Sequence, residues 1–230
     1  MLIKEYMTPD PIVVDENISI IEAAEKMKKN NVRRFPVLRD GKLVGIITDR
    51  DLRSAGPSQV VSFDESERKL MPELHSMLAN ITVDIVMARD VITVALEQSI
   101  VMAASLMLKH RISGMPVVDP SGKIVGIITE GDIFKALVDF SGISQGPTLI
   151  ALDLEDRPGS IKEVSDIIRE QGARVSSILT SAALSADPKY RRVCIRISDL
   201  PQEKREELKK ILETKFILRY MIQDGVDDGG

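Results

Sequence analysis

A segment that occurs twice constrains this chain more than any other feature of its sequence. Residues 45–51 read Gly-Ile-Ile-Thr-Asp-Arg-Asp, and residues 126–132 read Gly-Ile-Ile-Thr-Glu-Gly-Asp, 81 positions later. In both copies the β-branched run predicts a buried strand, and the Thr with the Asp three residues later predicts the start of a helix. Agreement of this kind indicates an internal duplication.

The duplication extends well beyond this segment. At a shift of 80 positions the matching pairs include Met7 with Met87, Asp10 with Asp90, Ser19 with Ser99, Met27 with Met107, and Pro36-Val37 with Pro116-Val117. In the first copy, Thr8-Pro-Asp-Pro11 is interpreted as a break before a strand at Ile12 to Val14. Each copy then has the predicted order β-α-β-β-α. Because neither copy is large enough for a robust core alone, the two are expected to pack as a pseudo-twofold pair with a cleft between them.

The rest of the chain predicts a further domain of α+β type. Its order β-α-β-β-α-β is typical of a ferredoxin-like unit, with Pro158 and Pro201 placed where helices start. The predicted boundaries are 1–56 for the first repeat unit, 57–80 for an inserted linker and helix packed beside the core, 81–142 for the second repeat unit, 147–223 for the ferredoxin-like unit and 224–230 for a frayed tail.

Composition argues against several classes of function. A net charge of −4 and an aromatic content of 3% without Trp argue against nucleic-acid binding. Two His and one Cys make a zinc site hard to build, and no apolar run reaches the length of a membrane span. No secretory signal is visible, so a cytoplasmic location is predicted. Since no nucleophile–base set is present, the chain is predicted not to be an enzyme and to require no cofactor.

The repeated Thr and Asp allow two interpretations. In the first, Thr48 and Asp51 only cap a helix, which contributes about 1 kcal/mol. In the second, a hydroxyl and a carboxylate beside free N–H groups at a helix N-terminus hold an anion and a diol together, as in the phosphate and ribose of a nucleotide. Two copies in matching context favour the binding site.

These motifs resemble two known families. Residues 1–142 resemble a tandem pair of CBS domains, also called a Bateman module, and residues 147–223 resemble an ACT domain. The motifs for the CBS pair are Met7-Thr-Pro, the Phe35-Pro-Val and Met115-Pro-Val strands and both Gly-Ile-Ile-Thr segments, and the motif for the ACT domain is Asp156-Arg-Pro-Gly159. A CBS pair followed by an ACT domain is similar to the arrangement of the AcuB-like acetoin-utilisation proteins.

The CBS resemblance implies binding of adenosine nucleotides. In that family the Thr and Asp hold phosphate and ribose, the Pro-Val strand provides an apolar wall for the base, and nearby basic residues often meet phosphates. The implied residues are Thr48, Asp51, Val37, Arg33, Arg34 and Arg50 in the first site, and Thr129, Asp132 and Val117 in the second. Because Ser113, Gly114 and Gly131 replace the three arginines in the second copy, the first site is expected to prefer a polyphosphate. The alternative for these arginines is a solvated surface.

The ACT resemblance implies an amino-acid site where the first strand meets the first helix, at Asp156 and Gly159. Leu154 offers no hydrogen bond there and Asp156 would repel a carboxylate, so a role in forming a homodimer is favoured.

The leading hypothesis is a non-enzymatic regulatory protein. It would sense AMP, ADP, ATP or S-adenosylmethionine in the cleft between its two CBS units and act on a partner protein through the ACT domain. The alternatives are an assembly subunit whose CBS pair does not bind, and an amino-acid sensor that acts through the ACT domain.

Overall fold

The computed structural model describes residues 1–55, 72–182, 184 and 187–224. The chain separates into two compact units, Met1–Ile133 and Phe134–Gly230. Most of the predicted insertion at 57–80 and all but the first residue of the predicted frayed tail at 224–230 lie outside the described residues.

Unit 1 contains the first repeat and the second repeat as far as Ile133. Its strands are β1 (Thr8–Pro9), β2 (Val14–Asp15), β3 (Arg34–Arg39), β4 (Lys42–Thr48), β5 (Val94–Ala95), β6 (Gly114–Val118) and β7 (Ile124–Thr129). Its helices are a 3₁₀ turn at Ile3–Glu5, α1 (Ile20–Lys29), α2 (Asp49–Ser54), α3 (Pro72–Ala79), α4 (Val83–Val86) and α5 (Ile100–His110). Helix α6 (Glu130–Ser141) begins in unit 1 and continues into unit 2.

The two repeats have the same strand pairing. The sheets have the orders β2-β3-β4 and β1-β7-β6-β5. In each repeat a short strand runs parallel to the first strand of an antiparallel hairpin, with Val14 opposite Val37 and Val94 opposite Val117. Both hairpins also shift register directly after this valine, at Val37 and at Val117. The duplication predicted from the sequence is therefore confirmed at the level of tertiary structure.

Each repeat begins with an entry segment, residues 7–9 in the first and residues 87–88 in the second, and this segment pairs with the other repeat. Strand β1 lies antiparallel to β7 of the second repeat, with Thr8 opposite Ile127, and Ala88 pairs with Ile46 of the first repeat in return. The prediction of a simple break at Thr8-Pro-Asp-Pro11 was wrong for Thr8–Pro9, which form a strand. The partner strand belongs to the other repeat, and local turn signals carry no information about it. The predicted strand at Ile12 to Val14 begins only at Val14.

Glycine at the start of each repeated segment lets these entry segments approach. A Cβ atom on Gly45 would overlap Met87 Sδ and lie 3.1 Å from the Ala88 carbonyl oxygen. A Cβ atom on Gly126 would overlap Met7 Sδ and lie 3.1 Å from the Thr8 carbonyl oxygen. Each contact therefore joins the methionine of one repeat to the glycine of the other. The same contact occurs twice because the two repeats have a pseudo-twofold arrangement.

We expect Gly45→Ala and Gly126→Ala each to lower the free energy of unfolding by about 1–3 kcal/mol, because the added methyl group overpacks against a methionine and a backbone carbonyl. The control is Gly131→Ala, where the nearest atom to the new methyl group, Thr129 Oγ1, is 3.6 Å away. This helical position should be neutral or gain up to about 1 kcal/mol. Urea denaturation followed by circular dichroism measures all three, and equal losses in all of them would contradict this account.

The core of the first repeat includes residues from far along the chain. Leu78, Val83 and Met87 are buried in the same cluster as Phe35 and Ile47. Leu78 belongs to α3, so the helical end of the predicted insertion does pack beside the core. The remaining members of the cluster are Val14, Ile20, Ala23, Ala24, Met27, Val37 and Leu52.

Unit 2 has the order predicted for it. Its elements after α6 are β8 (Thr148–Glu155), α7 (Ser160–Glu170), β9 (Val175–Ser181), β10 (Tyr190–Ile197), α8 (Gln202–Lys215) and β11 (Ile217–Gln223). The sheet order β11-β8-β10-β9 is fully antiparallel, as in ferredoxin-like folds. Alternate residues of β8, namely Ile150, Leu152 and Leu154, join the core with residues of both helices.

A buried carboxylate, Asp153, alternates with these core residues along β8 and therefore lies on the other face of the sheet. Asp153 is 3% exposed, Arg192 Nε donates to its Oδ1, and Arg219 Nε donates to its Oδ2 over 2.7 Å. Chiefly through the Arg192 hydrogen bond, these arginines lower the pKa of the Asp153 carboxyl. Two charge-assisted contacts therefore compensate for the burial of this charge.

Candidate functional site

The first repeated segment forms a closed hydrogen-bond unit at the junction of β4 and α2. Asp51 Oδ2 accepts from the Thr48 N–H over 2.8 Å and from Thr48 Oγ1 over 2.6 Å. The Asp51 N–H in turn donates to Thr48 Oγ1 over 3.3 Å. The capping interpretation of Thr48 and Asp51 is therefore realised, since this is a reciprocal capping box.

The second segment repeats this geometry at the junction of β7 and α6. Asp132 Oδ2 accepts from the Thr129 N–H over 2.8 Å and from Thr129 Oγ1 over 2.7 Å. Both aspartates are partly exposed. Among the described residues, the hydrogen bonds to each aspartate end on Oδ2, which leaves Oδ1 as an oriented acceptor. Capping and ligand binding are thus compatible, because they use different oxygens of the same carboxylate.

The second repeat presents more backbone donors than the first. In both repeats the first N–H of the helix is used, since Asp49 donates to the Arg33 carbonyl and Glu130 donates to the Ser113 carbonyl. In the part of the chain that the structure describes, the N–H groups of Gly131 and Asp132 have no hydrogen-bond partner, whereas that of Asp51 donates to Thr48. Such groups at a helix start favour an anion.

The three arginines of the first repeat have different surroundings. Arg33 and Arg50 are exposed, whereas Arg34 is partly buried. Arg34 Nη2 donates to Ser113 Oγ of the second repeat over 2.9 Å. Burial lowers the pKa of this guanidinium, and the carboxylates of Glu130 and Asp132 act in the opposite direction. The sequence interpretation grouped Arg34 with Thr48 and Asp51, but its guanidinium lies beside the second repeat.

The two valines expected to form an apolar wall for the base lie at buried strand positions. The side chains of Val37 and Val117 are 0% exposed. Val37 belongs to the core cluster of the first repeat, as expected for a strand residue that faces α1. An apolar wall for the base at Val37 and Val117 stays a prediction.

A cavity of about 270 Å³ lies between the hairpin ends of the two repeats. It is lined by Asp10, Pro11, Val13, Leu38, Gly41, Leu43, Gly122, Lys123 and Ile124. Leu43 and Thr48 stand near opposite ends of β4, about 16 Å apart in an extended strand. The cavity and the Thr-x-x-Asp segments are therefore separate features of unit 1.

In unit 2, the residues predicted for amino-acid binding stand near the start of α7. Asp156 is exposed and forms an ion pair with Arg191 over 3.0 Å. Gly159 is the N-cap residue of α7, with a φ of 91° that favours glycine. A cavity of about 390 Å³ is lined by Glu155, Asp156, Arg157, Pro188, Lys189 and Tyr190, and Gly159 is not part of its lining. Binding of an amino acid at these two residues stays a prediction.

The described residues contain no group of three or more His, Cys, Asp or Glu side chains placed to hold a metal ion. None of the helices in the described ranges combines the length and the apolar character needed to cross a bilayer.

Comparison with known proteins identifies the repeats. The family model of the CBS domain matches residues 3–58 and 82–139. The chain is also 34% identical over 160 residues to the uncharacterized protein MJ1426 of Methanocaldococcus jannaschii, a match that covers 60% of this chain and 92% of that protein. The chain belongs to the CBS-domain family. Its two repeats are a tandem CBS pair, as the sequence motifs predicted.

The CBS pair shares its fold with a solved structure, and a second solved structure is similar to it in sequence. The CBS domain of a CBS-domain-containing membrane protein from Sphaerobacter thermophilus is 31% identical, with a TM-score of 0.51, and the match covers 59% of this chain and 86% of that one. The CBS domain pair of protein MJ0100, in complex with 5′-methylthioadenosine and S-adenosyl-L-methionine, is 33% identical, with a TM-score of 0.49, and the match covers 60% of this chain and 97% of that one.

Proposed function

We propose that this CBS pair binds adenosine nucleotides at its two Thr-x-x-Asp segments and so regulates another protein. The observation that carries the proposal is the repeated orientation of Asp51 and Asp132. In each, Thr fixes one carboxylate oxygen from two sides and leaves the other oxygen as an acceptor beside a helix N-terminus.

This arrangement suits a ribose and a phosphate together. The two ribose hydroxyls donate to the open aspartate oxygen, and a phosphate oxygen accepts from the backbone N–H groups of the helix start. Hydrogen bonds to a charged group contribute about 1.5–3 kcal/mol each. Because Thr holds the carboxylate in place before the ligand arrives, little side-chain freedom is lost on binding.

Regulation follows if the nucleotide binds two arrangements of the CBS pair with different affinity. A coupling free energy of about 1–3 kcal/mol is enough for a useful switch. In this proposal the ligand is a regulatory signal and no cofactor or reaction is involved. The C-terminal unit acts as an ACT domain that passes the state to a partner protein, and the chain works as a cytoplasmic homodimer. The ferredoxin-like strand order of unit 2 supports the ACT assignment.

Calorimetric titration with AMP, ADP, ATP and S-adenosylmethionine tests the proposal. We expect Asp51→Asn and Asp132→Asn each to weaken binding at its own site by about 10-fold or more, because Asn keeps the size of the side chain but loses the charge that receives the ribose hydroxyls. The matched control is Asp139→Asn, which alters an exposed carboxylate on α6, the helix that Asp132 caps.

The outcomes separate the proposal from its alternatives. Binding that Asp139→Asn leaves unchanged and that the two motif variants weaken supports it. No heat and no thermal shift with any of the four compounds would overturn it and would favour an assembly subunit with a non-binding CBS pair.

A further inference from the structure

We infer that Arg34 of the first CBS domain makes the second CBS site, built on Thr129 and Asp132, selective for a ligand that carries a phosphate. This inference rests on the proposed function and names the ligand class of one of its two sites. It also reverses the expectation from the sequence, in which Arg34 enriched the first site in positive charge.

The register of the strands shows why Arg34 reaches the other domain. Arg34 lies opposite Thr48 in the first hairpin, and Gly114 lies opposite Thr129 in the second. The two residues are therefore equivalent positions of the repeat, one with a long side chain and one with none. A Cβ atom on Gly114 would overlap Arg34 Nη1, so the guanidinium occupies the space that the glycine leaves. The Ser113 hydroxyl then receives the hydrogen bond from Arg34 Nη2 over 2.9 Å.

The charges of the two sites show why Arg34 is needed at the second. In the first repeat the helix starts with Asp49, which is ion-paired with Arg53 one turn later. In the second repeat the equivalent positions are Glu130 and Phe134, and Glu130 makes no side-chain hydrogen bond or ion pair with any described residue. A phosphate at this site would therefore meet the carboxylates of both Glu130 and Asp132.

The guanidinium of Arg34 offsets the repulsion between these carboxylates and a phosphate. Both carboxylates act on its guanidinium, which places the three groups in one electrostatic cluster. Only Nη2 donates to a described residue, so the guanidinium keeps further N–H groups as donors for phosphate oxygens. The guanidinium is also partly buried, where its charge is screened less than at the exposed Arg33 and Arg50. The N–H groups of Gly131 and Asp132 add two further donors at the start of α6.

The test compares AMP with uncharged adenosine in a background of Asp51→Asn, which leaves the second site. We expect Arg34→Gln to weaken AMP binding there by about 10-fold or more and adenosine binding by less than about 3-fold, because only AMP presents a phosphate. Arg34→Lys should recover part of the AMP affinity. In the reciprocal background, Asp132→Asn, we expect Arg34→Gln to change AMP binding by less than about 3-fold.

Two control variants separate recognition from a structural role. Ser113→Ala removes the hydrogen bond to Arg34 but keeps the positive charge, so it should leave the preference for AMP over adenosine. Lys109→Gln removes an exposed positive charge on α5, outside both sites, and should also leave it. If Ser113→Ala lowered the preference for AMP over adenosine as much as Arg34→Gln, Arg34 would only hold the two domains together. The inference would then fail.

The remaining outcomes are equally decisive. If Arg34→Gln weakens the binding of AMP and of adenosine equally, the inference is overturned while the proposed function stands. The same holds if it weakens AMP binding only in the Asp132→Asn background. Binding of neither compound by the unmodified protein overturns both.

Discussion

Phe35→Ala is expected to lower the free energy of unfolding by about 3–5 kcal/mol, the largest effect of any substitution considered for the CBS pair. Phe35 is 0% exposed and pairs with Ile47 across the first hairpin. Its cluster also contains Leu78, at the helical end of the predicted insertion, and Met87, which follows the insertion. Truncation therefore removes apolar burial and leaves a cavity where several segments of the chain converge.

Guanidinium denaturation followed by circular dichroism measures this loss. Hydrogen exchange of the β3 and β4 amides shows whether it is local to this core. The matched control is Leu108→Ala, because Leu108 is 81% exposed on α5. It should change the free energy of unfolding by no more than about 0.5 kcal/mol. Similar small losses in both variants would contradict the assignment of Phe35 to the core.

The second large effect is expected at Asp153 in unit 2. Asp153→Asn keeps the volume of the side chain but leaves Arg192 and Arg219 without their carboxylate. Breaking a buried ion pair from one side costs about 3–5 kcal/mol. Because both arginines retain some contact with water, we expect the free energy of unfolding to fall by about 3 kcal/mol.

The pH dependence of stability provides an independent reading of the same contact. The arginines hold the pKa of the Asp153 carboxyl below its usual range. Its stabilising effect is therefore complete above the unfolded-state pKa of about 3.9 and is lost as the pH falls towards the folded-state value. The difference in unfolding free energy between the unmodified protein and Asp153→Asn should shrink over this range. Glu207→Gln, which alters an exposed carboxylate on α8, is the control, and a difference that stays constant with pH would contradict the ion-pair account.

Much of the fold could be predicted from local patterns. The apolar pattern of Lys42 to Thr48 and the alternation of Tyr190 to Ile197 each predict a strand, and β4 and β10 have these bounds in the structure. Apolar periodicity and turn residues specify such elements because their causes lie within a few residues. Strand β1 at Thr8–Pro9 was missed, since its pairing partner is in the other repeat.

In the candidate site, too, the local contacts could be predicted from the sequence and the contacts between the repeats could not. The Thr and Asp of each repeated segment were recognised from spacing alone, because a capping box is a contact between residues three positions apart. The meeting of Arg34 with Ser113 and Gly114 was not recognised. The relevant signal was present, since glycine stands at the repeat position equivalent to Arg34, but its meaning depends on how the two domains face each other.

The sequence by itself therefore determined the duplication, the order of helices and strands in both units, and the Thr-x-x-Asp pairs that begin α2 and α6. Only the tertiary structure decided which domain receives the guanidinium of Arg34 and why Gly45 and Gly126 carry no side chain. The physical reason is that capping and periodicity are local, whereas these contacts join atoms of two repeats that exchange their entry segments.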